Sequence, residues 1–216
     1  MTNLLFDYDG TIHDSLHIYV PAVQSAYDRL ASLGYAAPRR WTGPQLQRWI
    51  GYPPLEMWNQ FQPRLPENEK QFSAEFVGEE MYRLIENGQA RLYPHITQVL
   101  ETLHRKGYRL LLLSTCPRRY LDTHVEHFGL HRWFDAMYCG EAYSYRPKHE
   151  ICRLLMEQYD GRFLAIGDRK GDIEIGRQNQ FPAIGCCYGY GASEEFCGAA
   201  RLVRTPAELA DAVCSL

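Results

Sequence analysis

The sequence predicts an α/β protein: a doubly wound parallel sheet of Rossmann-like type with an inserted, all-helical cap subdomain. Three observations carry that expectation. From residue 93 onward, short apolar runs alternate with segments of helical period, the pattern of strands joined by crossover helices. Residues 14–90 carry helical patterns alone, broken at Pro53-Pro54, Pro63 and Pro66. Between the first apolar run, Leu4-Leu5-Phe6, and that helical block stands an acidic turn, Phe6-Asp7-Tyr8-Asp9-Gly10-Thr11. The division predicted is residues 1–13 and 91–216 for the Rossmann-like core and 14–90 for the cap.

Composition agrees with a folded protein. The chain has 216 residues, 45% hydrophobic and 23% charged, enough for one sizeable core and a subdomain. A formal net charge of -3 and the lack of a Lys/Arg block give no footprint for nucleic acid or an anionic membrane. There is no basic leader, and the first apolar run is too short for a signal or a span, so a soluble cytoplasmic protein is expected. The seven cysteines form no C-x-x-C pair and are odd in number, which suits reduced thiols; Cys116, beside the candidate site, is the one whose reactivity bears checking.

In order, the first run is a strand, and residues 18–34 form an amphipathic helix on Val20, Val23, Tyr27 and Leu30, stopped by Gly34. Helical patterns follow at 45–50, 55–61 and 67–86. A helix over 94–106 ends at Gly107 and leads into Arg109-Leu110-Leu111-Leu112-Leu113-Ser114, a fully buried strand. The alternation continues with helices at 120–128, 148–158 and 172–180, strands at 136–139, 163–167 and 183–187, a short strand at 202–203 and a terminal helix at 206–213.

A parallel sheet opens the carboxyl ends of all its strands on one edge, where ligands bind. Asp7 and Asp9 end the first strand, and by period two their side chains share a face. Ser114-Thr115 ends the second, Lys148 opens a helix, and Gly167-Asp168 ends a later strand, with Asp172 one helical turn further on. Two carboxylates side by side need a cation, a proton or several donors. Taken alone, the acidic turn reads equally well as a solvated Asp-Gly turn, and Lys148 as a solvated lysine. Their common edge favours chemistry.

This order of motifs, D-x-D-G-T, apolar strand plus Ser/Thr, Lys, then G-D-x-x-x-D, resembles the haloacid dehalogenase superfamily, specifically its capped phosphatases, including phosphoglycolate phosphatases. The likeness spans nearly the whole chain, with further similarity at Trp49-Ile50-Gly51-Tyr52-Pro53-Pro54-Leu55 and at Tyr188-Gly189-Tyr190-Gly191 with Glu194-Glu195. It implies a small phosphate monoester as substrate and Mg²⁺ as cofactor, in a monomer or homodimer. Asp7 is then the nucleophile that forms an aspartyl-phosphate, and Asp9 the acid and base. Ser114, Thr115 and Lys148 bind phosphate, with Lys148 also catalytic. Asp7, Asp9 through its backbone carbonyl, Asp168 and Asp172 form the metal site, a hard oxygen set suited to Mg²⁺.

Thr115 stands where relatives commonly carry Asn, and Gln180 where glycine is common. Arg169 and Lys170 read as solvated, as do Arg48 and Arg64 of the cap, although each of the latter pair has the charge to meet one carboxylate or phosphate. The eight histidines lack metal-ligand spacing and most read as surface or capping residues, and residues 188–191 as a loop packing near the site. Among other functions, a receiver-type signalling domain places its phosphoacceptor on a middle strand without a helical insertion. A catalytically dead interaction protein would have lost one of Asp7, Asp9, Lys148 or Asp168. Dehalogenation does not use an acid at the place of Asp9, and a phosphonate hydrolase needs a cap lysine where this chain has only Lys70, remote from the expected place. A phosphomutase shares all four motifs and stays open.

Overall fold

The structure is a computed structural model that describes residues 1–216. In chain order it comprises β1 (Thr2–Phe6), α1 (Leu16–Ser32), α2 (Gly43–Leu46), α3 (Pro54–Phe61), α4 (Glu67–Glu86), α5 (Ile96–Arg105) and β2 (Arg109–Ser114). Then come α6 (Arg118–Phe128), β3 (Ala136–Cys139), α7 (Lys148–Met156), β4 (Arg162–Gly167), α8 (Lys170–Asn179), β5 (Ala183–Cys186), β6 (Arg201–Val203) and α9 (Leu209–Cys214). Two compact units result, one of Met1–Asp14 with Leu92–Leu216, the other of Ser15–Arg91.

The first unit is built on one parallel sheet in the order β3-β2-β1-β4-β5-β6. Its inner strands are apolar almost throughout because both faces are covered by helices. Leu5, Leu111, Leu113, Phe163 and Ala165 pack on one face against Ile151, Cys152 and Leu155 of α7 and Ile173 of α8. Each buried leucine, isoleucine or phenylalanine among them stabilises the fold by about 1.5–3 kcal/mol relative to exposure. The chain winds outward from β1 through β2 to β3, then returns to β4 on the other side of β1. That reversal opens a crevice beside the carboxyl end of β1.

The second unit is helical. Here α4 packs against α1 and α3, while Tyr27, Trp41, Trp49, Trp58 and Phe61 make a chain of ring contacts. Arg29 pairs with Glu69 at 2.7 Å and lies 4.0 Å over the Phe72 ring. Lys70 is buried, its Nζ donating to Asn59 Oδ1 at 2.8 Å. No helix in the protein is long and apolar enough to cross a membrane.

Most elements lie within a residue or two of their sequence-predicted bounds, and α4 spans the predicted 67–86. The 45–50 pattern divides into α2 and a 3₁₀ turn over Gln47–Trp49, and the terminal helix opens with a 3₁₀ turn over Pro206–Glu208. The structure also accounts for Gln180. It caps α8 in the left-handed conformation at φ 62° while the Phe181 amide donates to the Gly176 carbonyl at 3.0 Å. Glycine suits that position because a Cβ there costs about 1–2 kcal/mol. Gln180→Gly should therefore raise the thermal midpoint by about 2–4 °C, equivalent to about 1 kcal/mol, as measured by calorimetry. An unchanged or lower midpoint would show that the Gln180 side chain contributes more than its backbone strain removes.

Candidate active site

The site lies in the first unit, at the carboxyl ends of β1, β2 and β4. Asp7 follows β1 directly, and its amide donates to the Ile166 carbonyl at 2.8 Å, which carries the ladder one residue beyond the strand. Asp168 follows β4 and Asp172 lies in the first turn of α8. Lys148 opens α7 after a tight turn in which Ser144 and Tyr145 are both left-handed and the Tyr145 amide donates to Gly140 O at 2.8 Å. The turn directs Lys148 Nζ between two carboxylates, 2.5 Å from Asp7 Oδ1 and 2.6 Å from Asp172 Oδ1. Both pairs are sequestered from solvent.

One oxygen each of Asp7, Asp168 and Asp172 lie within 4.8 Å of one another, and all three residues are buried. Burial and the Asp172 carboxylate push Asp7 up to about 7 against the pull of Lys148. Burial, then Asp7 and Asp172, holds Asp168 well above the usual carboxylate range, although the Tyr190 amide donates to its Oδ2 at 2.7 Å. Burial works against the Lys148 ammonium, but Asp172 and Asp7 outweigh it and raise its pKa above that of a free lysine. Three carboxylates thus share one ammonium. The uncompensated negative charge, the burial and the all-oxygen donor set fit a hard divalent cation.

Asp9 stands outside that cluster. It lies past β1, which ends at Phe6, in a turn where the Ile12 and His13 amides both donate to the Tyr8 carbonyl. The Asp9 carboxylate accepts instead from His13 Nδ1 at 3.0 Å and the Tyr120 hydroxyl at 2.9 Å. Its side chain is not one of the three grouped carboxylates. His13 and His124 are wholly buried, exceptions to the reading of most histidines as surface or capping residues. The pattern that would have exposed His13 is its spacing of four from Asp9 within one turn, whereas its pairing with Tyr120 and His124 crosses the sheet edge and leaves no local signal.

Other assigned residues fall as follows. Ser114 is buried at the end of β2, its Oγ accepting from the Cys116 amide at 3.3 Å, while Thr115 is exposed. Arg169 is not simply solvated: its Nε donates to Glu195 Oε2 at 3.0 Å, and the Glu195 carboxylate also receives the amides of Lys170 at 3.1 Å and Ala192 at 3.0 Å. This clamp fixes the 188–191 loop around Asp168. Lys170 keeps an exposed side chain near Glu174. The Cys116 thiol is buried and pushed up by burial and Asp9, which makes it unreactive.

Comparison with known proteins decides the family. The profile of the haloacid dehalogenase-like hydrolases matches residues 4–186. The chain belongs to that family. A 5'-nucleotidase of Pseudomonas aeruginosa is 30% identical over 198 residues, covering 89% of this chain and 86% of the relative. A phosphoglycolate phosphatase of Vibrio parahaemolyticus is 27% identical, covering 88% and 86%. A haloacid dehalogenase-like hydrolase of Streptococcus pneumoniae superimposes with a TM-score of 0.80 at 19% identity, covering 99% of this chain and 98% of that one. CbbY from Rhodobacter sphaeroides, solved with phosphate, superimposes at 0.72 and 23% identity, covering 96% and 95%. The protein is thus an enzyme of the haloacid dehalogenase-like hydrolase family.

The charge imbalance gives a stability prediction with a definite sign. Asp7 loses its proton near 3.8 when unfolded but near 7 in the metal-free fold, so between these values the folded state binds more protons and stability falls as pH rises. With chelator present, the thermal midpoint should be higher at about pH 6 than at about pH 8. Divalent cation should stabilise more at the higher pH, by about 2.7 kcal/mol at a hundredfold excess over its dissociation constant. Calorimetry at both pH values, with chelator and with MgCl₂, makes the comparison. A midpoint in chelator that rises with pH would contradict this account of the cluster.

Proposed function

We propose that this enzyme is a Mg²⁺-dependent phosphoric monoester hydrolase acting on a small phosphate ester through an aspartyl-phosphate on Asp7. The observation that carries the reading is Asp7 at the central strand end, one oxygen held by Lys148 and the carboxylate grouped with Asp168 and Asp172. Asp7, Asp168, Asp172 and the backbone carbonyl of Asp9 are the groups to hold Mg²⁺, which when bound supplies the positive charge that lets one anion approach another.

In the first step an Asp7 oxygen bonds to phosphorus as the ester P–O bond breaks, and the departing alkoxide takes a proton from Asp9. In the second, Asp9 removes a proton from water as the water oxygen bonds to phosphorus, which frees Asp7 and inorganic phosphate. Lys148 balances the charge gathering on the phosphoryl oxygens, and Ser114 with the amide after it donates to them. Thr115 offers a shorter reach than an amide side chain in the same place. The helical unit, residues 15–91, is assigned the part of a cap that reads the leaving group.

The substrate class is a soluble monoester of phosphoglycolate, sugar-phosphate or nucleotide size. Two relatives above, named for phosphoglycolate and 5'-nucleotide hydrolysis, support that size, and a chain with net charge -3 lacks a basic stripe for a polyanion.

Asp7→Asn should lower phosphate release by more than about a thousandfold with Mg²⁺ present, measured on a panel of phosphorylated metabolites. Full turnover in a folded Asp7→Asn protein would remove the aspartyl-phosphate. Asp9→Asn should cost about 10²–10⁴-fold on alkyl esters and much less on aryl esters, whose alcohols leave without protonation. Incubation with a hexose 1-phosphate and its 1,6-bisphosphate should release free phosphate; rapid 6-phosphate formation with little release would replace the hydrolase by a mutase.

A further inference from the structure

The reaction above leaves a group of buried rings around Asp9 without a part to play. Tyr8, His13, Tyr120 and His124 are all buried in the first unit. The His13 ring stacks on Tyr8 at 5.3 Å and meets His124 edge-on at 4.4 Å, while Tyr120 lies 4.3 Å from His124 and Phe128 stacks on it at 5.8 Å. The Tyr8 hydroxyl lies 2.7 Å from His124 Nδ1. Burial, then neighbouring His13, pushes His124 well below the usual imidazole range, and burial holds the Tyr8 phenol above its own. The contact between Tyr8 and His124 ties the two rings together as a wall behind His13 and Tyr120.

On the other side of that wall, two donors converge on one atom. His13 Nδ1 and the Tyr120 hydroxyl lie 3.0 Å and 2.9 Å from the same oxygen, Asp9 Oδ1. Apolar side chains would fill the volume without the desolvation cost of phenols and imidazoles. The cost is offset by orientation, because an Asp held by two buried donors on one oxygen has a fixed carboxyl plane. We propose that His13 and Tyr120 are positioning residues that hold Oδ1 of Asp9 and so fix the plane of the carboxyl group that exchanges a proton with the leaving group. The Tyr8–His124 pair keeps both donors in place. This rests on the reading of Asp9 as the acid and base.

The test compares an alkyl ester with an aryl ester, since only the alkyl alkoxide needs a well-placed proton. Tyr120→Phe removes one hydroxyl and keeps the ring, so its fold is preserved; His13→Leu removes the second donor, and His13→Asn restores a short N–H. Each is assayed with Mg²⁺ on 4-nitrophenyl phosphate and on 2-phosphoglycolate or adenosine 5'-monophosphate, whichever is hydrolysed faster, beside Asp9→Asn. Tyr120→Phe and His13→Leu should lower kcat on the alkyl ester about tenfold or more with KM within about twofold, and lower it less than about threefold on the aryl ester. His13→Asn should recover most of the loss relative to His13→Leu. If Asp9→Asn itself fails to separate the two esters, the acid-base reading of Asp9 falls and this proposal with it. If Asp9→Asn separates them while Tyr120→Phe leaves both unchanged or lowers both equally, the positioning role is overturned and Asp9 keeps its own.

Discussion

The structure depends on concentrating negative charge at one strand end. At about 4 Å and an effective dielectric of about 20, two unit charges interact by about 4 kcal/mol. The cluster of Asp7, Asp168 and Asp172 meets one lysine, so repulsion is relieved on one side only. Lys148 is placed where it reaches two of the three carboxylates. Asp172 is also tied by the Arg169 amide at 3.0 Å, and Asp168 by the Tyr190 amide. What remains must be met by protons or a cation, and the three grouped carboxylates could hold a divalent ion.

The backbone makes room for that cluster in a way that constrains sequence at two glycines. Gly10 is left-handed at φ +90°, and a Cβ there would lie 2.2 Å from an Asp168 oxygen. A Cβ at Gly189 would lie 2.3 Å from the Asp168 Cβ. Two backbone segments therefore close on Asp168, one after β1 and one after β5, and the Glu195 clamp holds the second in position. The aspartate is buried because the chain wraps it, and its pKa rises for the same reason.

Asp7 and Asp9 are two residues apart but occupy opposed surroundings. One shares a crowded anionic cluster with an ammonium; the other receives a phenol and an imidazole from a buried aromatic wall. Environments that differ this much can divide two like carboxyls between separate tasks, as the proposed reaction does with Asp7 as nucleophile and Asp9 as acid and base.

The sequence by itself determined the parallel sheet, the helical insertion, the strand-end placement of Asp7, Ser114 and Asp168 and the helix-start placement of Lys148 and Asp172, because these follow from short-range periodicity and from the single open edge of a parallel sheet. Helix α4 was legible to its ends because Pro66 and Asn87 bracket an unbroken helical pattern. Only the tertiary structure decided where the side chains of Asp9, His13, His124 and Arg169 go. A histidine's burial depends on partners more than a hundred residues away, as with Tyr8 and His124, and local pattern carries no information about such pairs. The same holds for Arg169, whose partner Glu195 lies beyond α8 and β5. Gln180 shows the reverse: its left-handed cap is local geometry, hidden in the sequence because the residue that marks it is not glycine.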